Sequence, residues 1–157
     1  KLKNSSVDFI QTNKDDIQEG IIFFGDKRIK IDYKNPRKIT IILSEKKGIY
    51  INHDLKESQF FTTKDSYIKF LFYIFYNKEY LKDITITESD HQIEINEKIT
   101  LDNILYNIKL IYENEPIKLR RLNIRNKEEE TQMGFFNHNL EKSFENKFFS
   151  MIDPYLN

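Results

Sequence analysis

Ile29, Ile31 and Tyr33 alternate with Arg28, Lys30 and Asp32, so one edge of this segment is apolar and the other charged. A period of two marks a half-buried strand. The same alternation runs through residues 83–87, through Gln92-Ile93-Glu94-Ile95, and through Lys118-Leu119-Arg120 on to Leu122-Asn123-Ile124. Denser apolar runs at 21–24, 39–43, 49–51 and 105–112 are rich in β-branched and aromatic residues, which also favour strands. Turn formers separate these runs at short intervals: Asn35-Pro36, Lys46-Lys47-Gly48, Asn114-Glu115-Pro116 and Asn126-Lys127-Glu128. The Glu128-Glu129-Glu130 run reads as a solvated hairpin tip. Gaps this short permit hairpins and leave no room for crossover helices. The pattern predicts an antiparallel meander with one wet face and one apolar face.

Between residues 65 and 76 the period changes. Ile68, Leu71, Phe72 and Phe75 fall at i, i+3, i+4 and i+7, one face of a helix, and Asp65 or Ser66 can cap its start. Phe70 and Ile74 widen the apolar stripe, so this helix must lie against apolar surface over most of its girth. The concave face of a curved sheet supplies such a surface. The predicted class is mainly β (α+β): a strongly curved antiparallel sheet with a helix laid across its concave face.

Composition narrows the function. The 157 residues suit one domain spanning 1–157, with no internal repeat or linker. Basic and acidic residues balance at 25 each, and that neutrality argues against a nucleic-acid partner. Hydrophobic residues at 39% supply enough surface for a core. The absence of cysteine excludes disulfides, thiolate metal sites and cysteine nucleophiles. No apolar run approaches the roughly 18 residues of a spanning helix. The first residue is Lys, from which a trimmed N-terminus is expected, compatible with a removed signal peptide.

Reacting groups are scarce. His53, His91 and His138 are far apart, with no His-x-x-x-His pair, and read as three surface histidines with no metal among them. There is no Gly-x-Ser-x-Gly elbow or glycine-rich phosphate loop. Lys118, Arg120 and Arg121 alternate with apolar residues and read as a solvated strand face. An enzyme on this sheet would need two or more of Asp32, His53, Asp90, His91 and the tyrosines to meet in a cleft. The sequence predicts neither catalysis nor a cofactor.

A family resemblance enters through the order of several short motifs. Val7-Asp8-Phe9-Ile10-Gln11-Thr12 resembles an aromatic-x-Gln strand, and Gln18-Glu19-Gly20-Ile21-Ile22-Phe23-Phe24 the Gly-led strand that follows it. Ile29-Lys30-Ile31-Asp32-Tyr33-Lys34-Asn35-Pro36 resembles the next strand, ending in an acidic-aromatic pair and a turn proline. Ser44-Glu45-Lys46-Lys47-Gly48-Ile49-Tyr50-Ile51 resembles a hairpin leading into an aromatic strand, with Asp54-Leu55-Lys56-Glu57 after it. Residues 66–72 look like an inner helix, Leu81-Lys82-Asp83 like its exit, and Pro116-Ile117-Lys118-Leu119-Arg120-Arg121-Leu122 like a late strand. In this order, from Val7 to about Phe149, the chain resembles the LolA-type periplasmic carriers of outer-membrane lipoproteins.

The resemblance implies an unclosed β-barrel with helices as a lid over an apolar cavity for the acyl chains of lipoproteins. It implies that Ile22, Phe24, Ile29, Ile31, Tyr33, Ile41, Leu43 and Tyr50 line that cavity from the sheet. Ile68, Leu71, Phe72 and Phe75 would plug it from the open side. It further implies a periplasmic monomer that shuttles acylated lipoproteins from an inner-membrane donor complex to an outer-membrane acceptor. Alternatives on the same fold are a carrier of another lipid or glycolipid and a lipoprotein-sensing regulatory domain. The chain departs from the family in three places. Gly25-Asp26-Lys27-Arg28 stands where a cavity-edge arginine is found, Ile31 stands where a tryptophan is found, and the resemblance begins at the first strand without a preceding lid helix.

Overall fold

The computed structural model describes residues 4–63, 72, 74–76, 84–101 and 103–156. They contain eleven strands: β1 (Ser5–Asn13), β2 (Asp16–Gly25), β3 (Arg28–Asn35), β4 (Ile39–Leu43), β5 (Lys47–Asn52), β6 (Glu57–Thr62), β7 (Ile84–Glu88), β8 (Gln92–Leu101), β9 (Ile104–Glu113), β10 (Lys118–Arg125) and β11 (Glu130–Asn139). All belong to one antiparallel sheet, ordered β6-β5-β4-β3-β2-β1-β11-β10-β9-β8-β7. Each strand pairs with its neighbour in sequence except at two points. β1 and β11 pair with each other, which brings the two ends of the chain together at the sheet's centre. β6 and β7 are the two edges, so the sheet is strongly curved and unclosed.

The predicted alternation is borne out in β3, where Ile29 and Ile31 are buried and Tyr33 packs against the same core. Register carries this face across the sheet. Phe9 lies opposite Phe135, Ile22 opposite Ile31, Ile41 opposite Tyr50, and Leu122 opposite both Leu110 and Met133. These side chains form one core cluster on the inner face, Phe9, Leu43 and Leu122 being fully buried. The doubled arginine between Leu119 and Leu122 interrupts alternation in the sequence. In the fold it coincides with a register shift between Leu119 and Arg121, an extra residue that bends the strand. Both turn prolines follow cis peptide bonds, Asn35–Pro36 and Glu115–Pro116.

Two expectations need correction. The outer face is not uniformly wet. Ile42, Ile49 and Ile51 point away from the main core and form a second cluster with Met151 and Tyr155. The isoleucine runs of β4 and β5 are apolar on both faces, as befits strands covered on both sides. The cover is the chain after β11. Phe144, Phe148 and Phe149 pack edge-on or stacked against one another and, through Phe144 and Phe148, against Phe23, while Lys30 sits 4.2 Å above the Phe148 ring. This strap has neither helical nor strand backbone. Helix, second, is almost lacking among the described residues, being confined to residue 72 and residues 74–76. The other positions of the predicted 65–76 helix, Ile68 and Leu71 among them, lie outside the described residues.

Where the helical piece is described, it is firmly attached. Phe72 belongs to the main core, and Phe75 packs against Phe24 with ring centroids 4.6 Å apart. The Tyr76 hydroxyl donates to the carbonyl oxygens of Gly25 (2.7 Å) and Arg28 (2.9 Å), on either side of the β2–β3 turn. Gly25 is the point where three parts meet. A side chain there would run into the Phe149 ring of the strap, 2.5 Å from an added Cβ. A Cβ at Gly20 would strike the Asp32 carbonyl, so the Gly-led start of the second strand is a matter of close strand approach.

Candidate functional site

One rim of the curved sheet collects the start of β1, the end of β2, the end of β9, the start of β10 and the end of β11. There the inner face leaves a cavity of about 590 Å³. Its walls are apolar: Val7, Phe24, Phe72, Phe75, Leu119 and Phe135. Ile117 and Leu140 line it from exposed positions and mark the mouth. The turn residues Asp26 and Lys27, with Glu45 and Lys118, bring two acids and two bases to the lining. Ser5, Tyr112 and His138 add neutral polar groups.

The predicted cavity residues fall into three groups. Phe24, Phe72 and Phe75 line the cavity. Ile22, Ile29, Ile31, Ile41 and Leu43 belong to the same inner core, with Tyr33 and Tyr50 packed against it, but the void does not reach them. They interlock with their neighbours, as the Phe9–Tyr33 edge contact at 5.2 Å illustrates. Ile68 and Leu71 lie outside the described residues. Sequence reading spread the cavity over β2 to β5 beneath the helix, and the void lies at the rim formed by β1, β2 and β9–β11, reaching Phe24 of that set on the sheet. Nothing in the period of two distinguishes a filled stretch of inner face from an empty one. Ser5, Val7, Tyr112, Leu119, Phe135 and His138 were missed because they come from four strands that meet only when the sheet curls.

The electrostatics of the rim are mild. His138 Nε2 donates to the Leu119 carbonyl oxygen at 2.8 Å. Burial lowers its pKa, and nearby Arg120 and Lys118 add to that, so the ring is neutral near pH 7. Burial raises the pKa of the Tyr112 and Tyr76 hydroxyls, which therefore stay protonated. The basic cluster divides: Arg120 pairs with Glu113 through Nε at 2.7 Å, Lys118 lines the cavity, and Arg121 is exposed.

Other candidate chemistry lies elsewhere. On the outer face Thr40 donates to Asp32 (2.6 Å) and sits 2.8 Å from His53 Nε2, whose Nδ1 meets the Tyr155 hydroxyl. Asp32 and His53 are thus linked, and His53 and His138 are engaged rather than free surface groups. This chain of bonds lies against the strap and does not touch the cavity. Among the described residues no group of three or more His, Cys, Asp or Glu side chains is placed to hold a metal. A second depression of about 610 Å³ on β8–β10 is lined mostly by polar residues such as Asn96, Lys98, Lys109 and Arg125.

Fold and cavity together define a small unclosed β-sheet protein with an apolar hollow at one rim. No protein-family model matches the chain, and no curated protein does. A solved structure similar to it is that of LprF from Mycobacterium bovis, at 10% identity and a TM-score of 0.42, over 91% of this chain and 89% of the other. No helix among the described residues is long and apolar enough to cross a membrane.

Proposed function

We propose that this protein binds an acyl chain in the rim cavity and serves as a carrier of acylated lipoproteins, without catalysing a reaction. The observation that carries the reading is the size and lining of the void. At roughly 30 Å³ per methylene, about the share of one water in the liquid, a chain of fifteen methylenes needs about 450 Å³, within the 590 Å³ at hand. Burying such a chain is favourable by about 12 kcal/mol gross, at about 0.8 kcal/mol per methylene. The LolA-type order of motifs supports the cargo class. On the same reading the helical piece that carries Phe72 and Phe75 belongs to the lid, the compartment is the periplasm, and the protein works as a monomer between an inner-membrane donor and an outer-membrane acceptor.

The test is uptake of a fluorescent fatty-acid probe and of an acylated peptide by the purified protein. Leu119→Glu puts a carboxylate into the apolar wall and should abolish uptake, while the far-ultraviolet circular dichroism spectrum stays unchanged to show that the sheet still forms. Undiminished uptake by a folded Leu119→Glu would show that acyl chains bind elsewhere, and no uptake by the unaltered protein would end the proposal.

A further inference from the structure

The two ends of the strands differ in kind. Asp26, Lys27 and Glu45 belong to turns at the cavity rim. The turns at the far ends of β3 and β5 lie about 25 Å away, the length of β3 at roughly 3.3 Å for each of its eight residues. Two bonds lace these far turns together. The Lys38 N–H donates to Asp54 Oδ2 at 3.3 Å, and the His53 N–H to the Lys38 carbonyl oxygen at 3.0 Å. The β5–β6 turn is also braced from within. The N–H groups of Asp54 and Leu55 both donate to Asn52 Oδ1 at 3.1 Å, and Lys56 takes left-handed backbone with φ of 54°. This turn holds Leu55 out in solvent, 65% exposed. The strap brings a second leucine to the same corner. Tyr155 is bonded to His53, two residues before Leu55, and its neighbour Leu156 is 76% exposed.

Cations surround the leucines. Residues 34–38 are all exposed and include Lys34, Arg37 and Lys38, while Lys56 follows Leu55 and is exposed too. None of these four makes an ion pair with a described residue. The same two turns hold half as many carboxylates, Asp54 and Glu57, and Asp54 is turned onto the Lys38 N–H. Glu19 and Asp153 flank the corner, bonded to the Asn35 side chain and the Tyr155 N–H. The tips themselves are basic and aliphatic.

That combination separates the possible partners. Protein interfaces are anchored by aromatic side chains and arginine, with leucine under-represented, and both apolar side chains projecting at the tips are leucine. An anionic bilayer matches better: its phosphates meet the unpaired cations, and the leucines enter the boundary between head groups and acyl chains. We propose that this corner, formed by Lys34, Arg37, Lys38, Leu55, Lys56 and Leu156, is a docking surface for anionic lipid bilayers, separate from the cavity. The cavity mouth, at the opposite end of the strands, is left clear of the membrane.

The experiment is flotation of the purified protein with vesicles of phosphatidylcholine alone and of phosphatidylcholine and phosphatidylglycerol in equal parts. The protein should float with the mixed vesicles and not with phosphatidylcholine, and added salt should release it. Arg37→Gln combined with Lys38→Gln should weaken binding about twentyfold, at about fivefold per cation. Leu55→Ser should weaken it about tenfold. Unchanged far-ultraviolet circular dichroism in these variants shows that the sheet is intact. Folded Leu119→Glu, altered in the cavity wall, should float like the unaltered protein. No flotation, equal flotation with phosphatidylcholine, or undiminished binding in the tip variants overturns the docking surface. Loss of flotation in folded Leu119→Glu also overturns it, since the lipid is then held through the cavity. Release from the mixed vesicles by polyglutamate, with Leu55→Ser binding as well as the unaltered protein, assigns the corner to an acidic polypeptide and overturns the lipid partner. None of these outcomes depends on whether the cavity takes up a fatty-acid probe.

Discussion

The Nδ1 atom of His53 lies 2.7 Å from the hydroxyl of Tyr155, a residue 102 positions further along the chain. Thr40 donates its proton to Asp32, so its oxygen accepts from His53 Nε2, and the other ring nitrogen of His53 is hydrogen-bonded to the Tyr155 hydroxyl. This series of bonds fastens the strap to β3, β4 and the end of β5. Tyr155→Phe keeps the ring contact and removes the hydroxyl. It should lower stability by about 1 kcal/mol, read as an earlier midpoint in urea denaturation with an unchanged slope. A variant equal to the unaltered protein would mean that the bond contributes nothing.

The strap protects some outer-face positions and not others. Ile49 and Phe60 are register partners on β5 and β6, yet Ile49 is fully buried beside Met151 and Tyr155 while Phe60 is 57% exposed. Ile49→Ala should cost about 2–5 kcal/mol, as large-to-small changes in packed cores do. Phe60→Ser should stay within about 0.5 kcal/mol, as exposed substitutions do. Thermal denaturation of the pair decides, and similar losses at both sites would contradict the strap's placement.

Tyr76 holds the helical piece to the β2–β3 turn through two carbonyl acceptors. Tyr76→Phe should destabilise by about 1–3 kcal/mol, because the two carbonyls lose their donor in a partly buried setting. Amide exchange near Gly25 and Arg28 should quicken. Unaltered exchange there would show that the turn is held by other contacts.

His138 gives stability a definite dependence on acid. Its pKa in the folded protein lies below the ordinary 6.5, mainly through burial, while the Leu119 carbonyl and Glu113 pull upward and Arg120 and Lys118 downward. Below about pH 6.5 the unfolded chain therefore takes up a proton here more readily than the folded one, and stability falls with the pH. Above that range the term vanishes. Denaturation at pH 7.5 and 5.5 should show a smaller acid loss in His138→Gln than in the unaltered protein. Equal losses would assign the acid sensitivity to other groups.

Much of this sheet is legible in the chain, for reasons that can be located. β3 alternates cleanly because its two faces meet different surroundings, the core on one side and mainly the strap and solvent on the other. β11 escaped the sequence reading because Gln132, Gly134 and Asn137 are poor strand formers, although Met133 and Phe135 keep the period. Its strand state is imposed by pairing with β1 and β10. The strap left no periodic trace, since Phe144, Phe148 and Phe149 are positioned by Phe23, Lys30 and Gly25 rather than by any local geometry. The cavity lining was equally hidden: Ser5, Tyr112 and His138 meet around one void only through the curl of the sheet.

The pairing of β1 with β11 also governs how the molecule can be made. A ribosome delivers the N-terminal strand first, and one of its two hydrogen-bonding flanks must stay vacant until position 139 has emerged. Closing so long a loop is slow, and a bare strand flank invites adhesion to other chains. Synthesis therefore passes through an interval in which the half-built sheet is sticky at its own midline. Guarding that flank falls to whatever receives the nascent polypeptide.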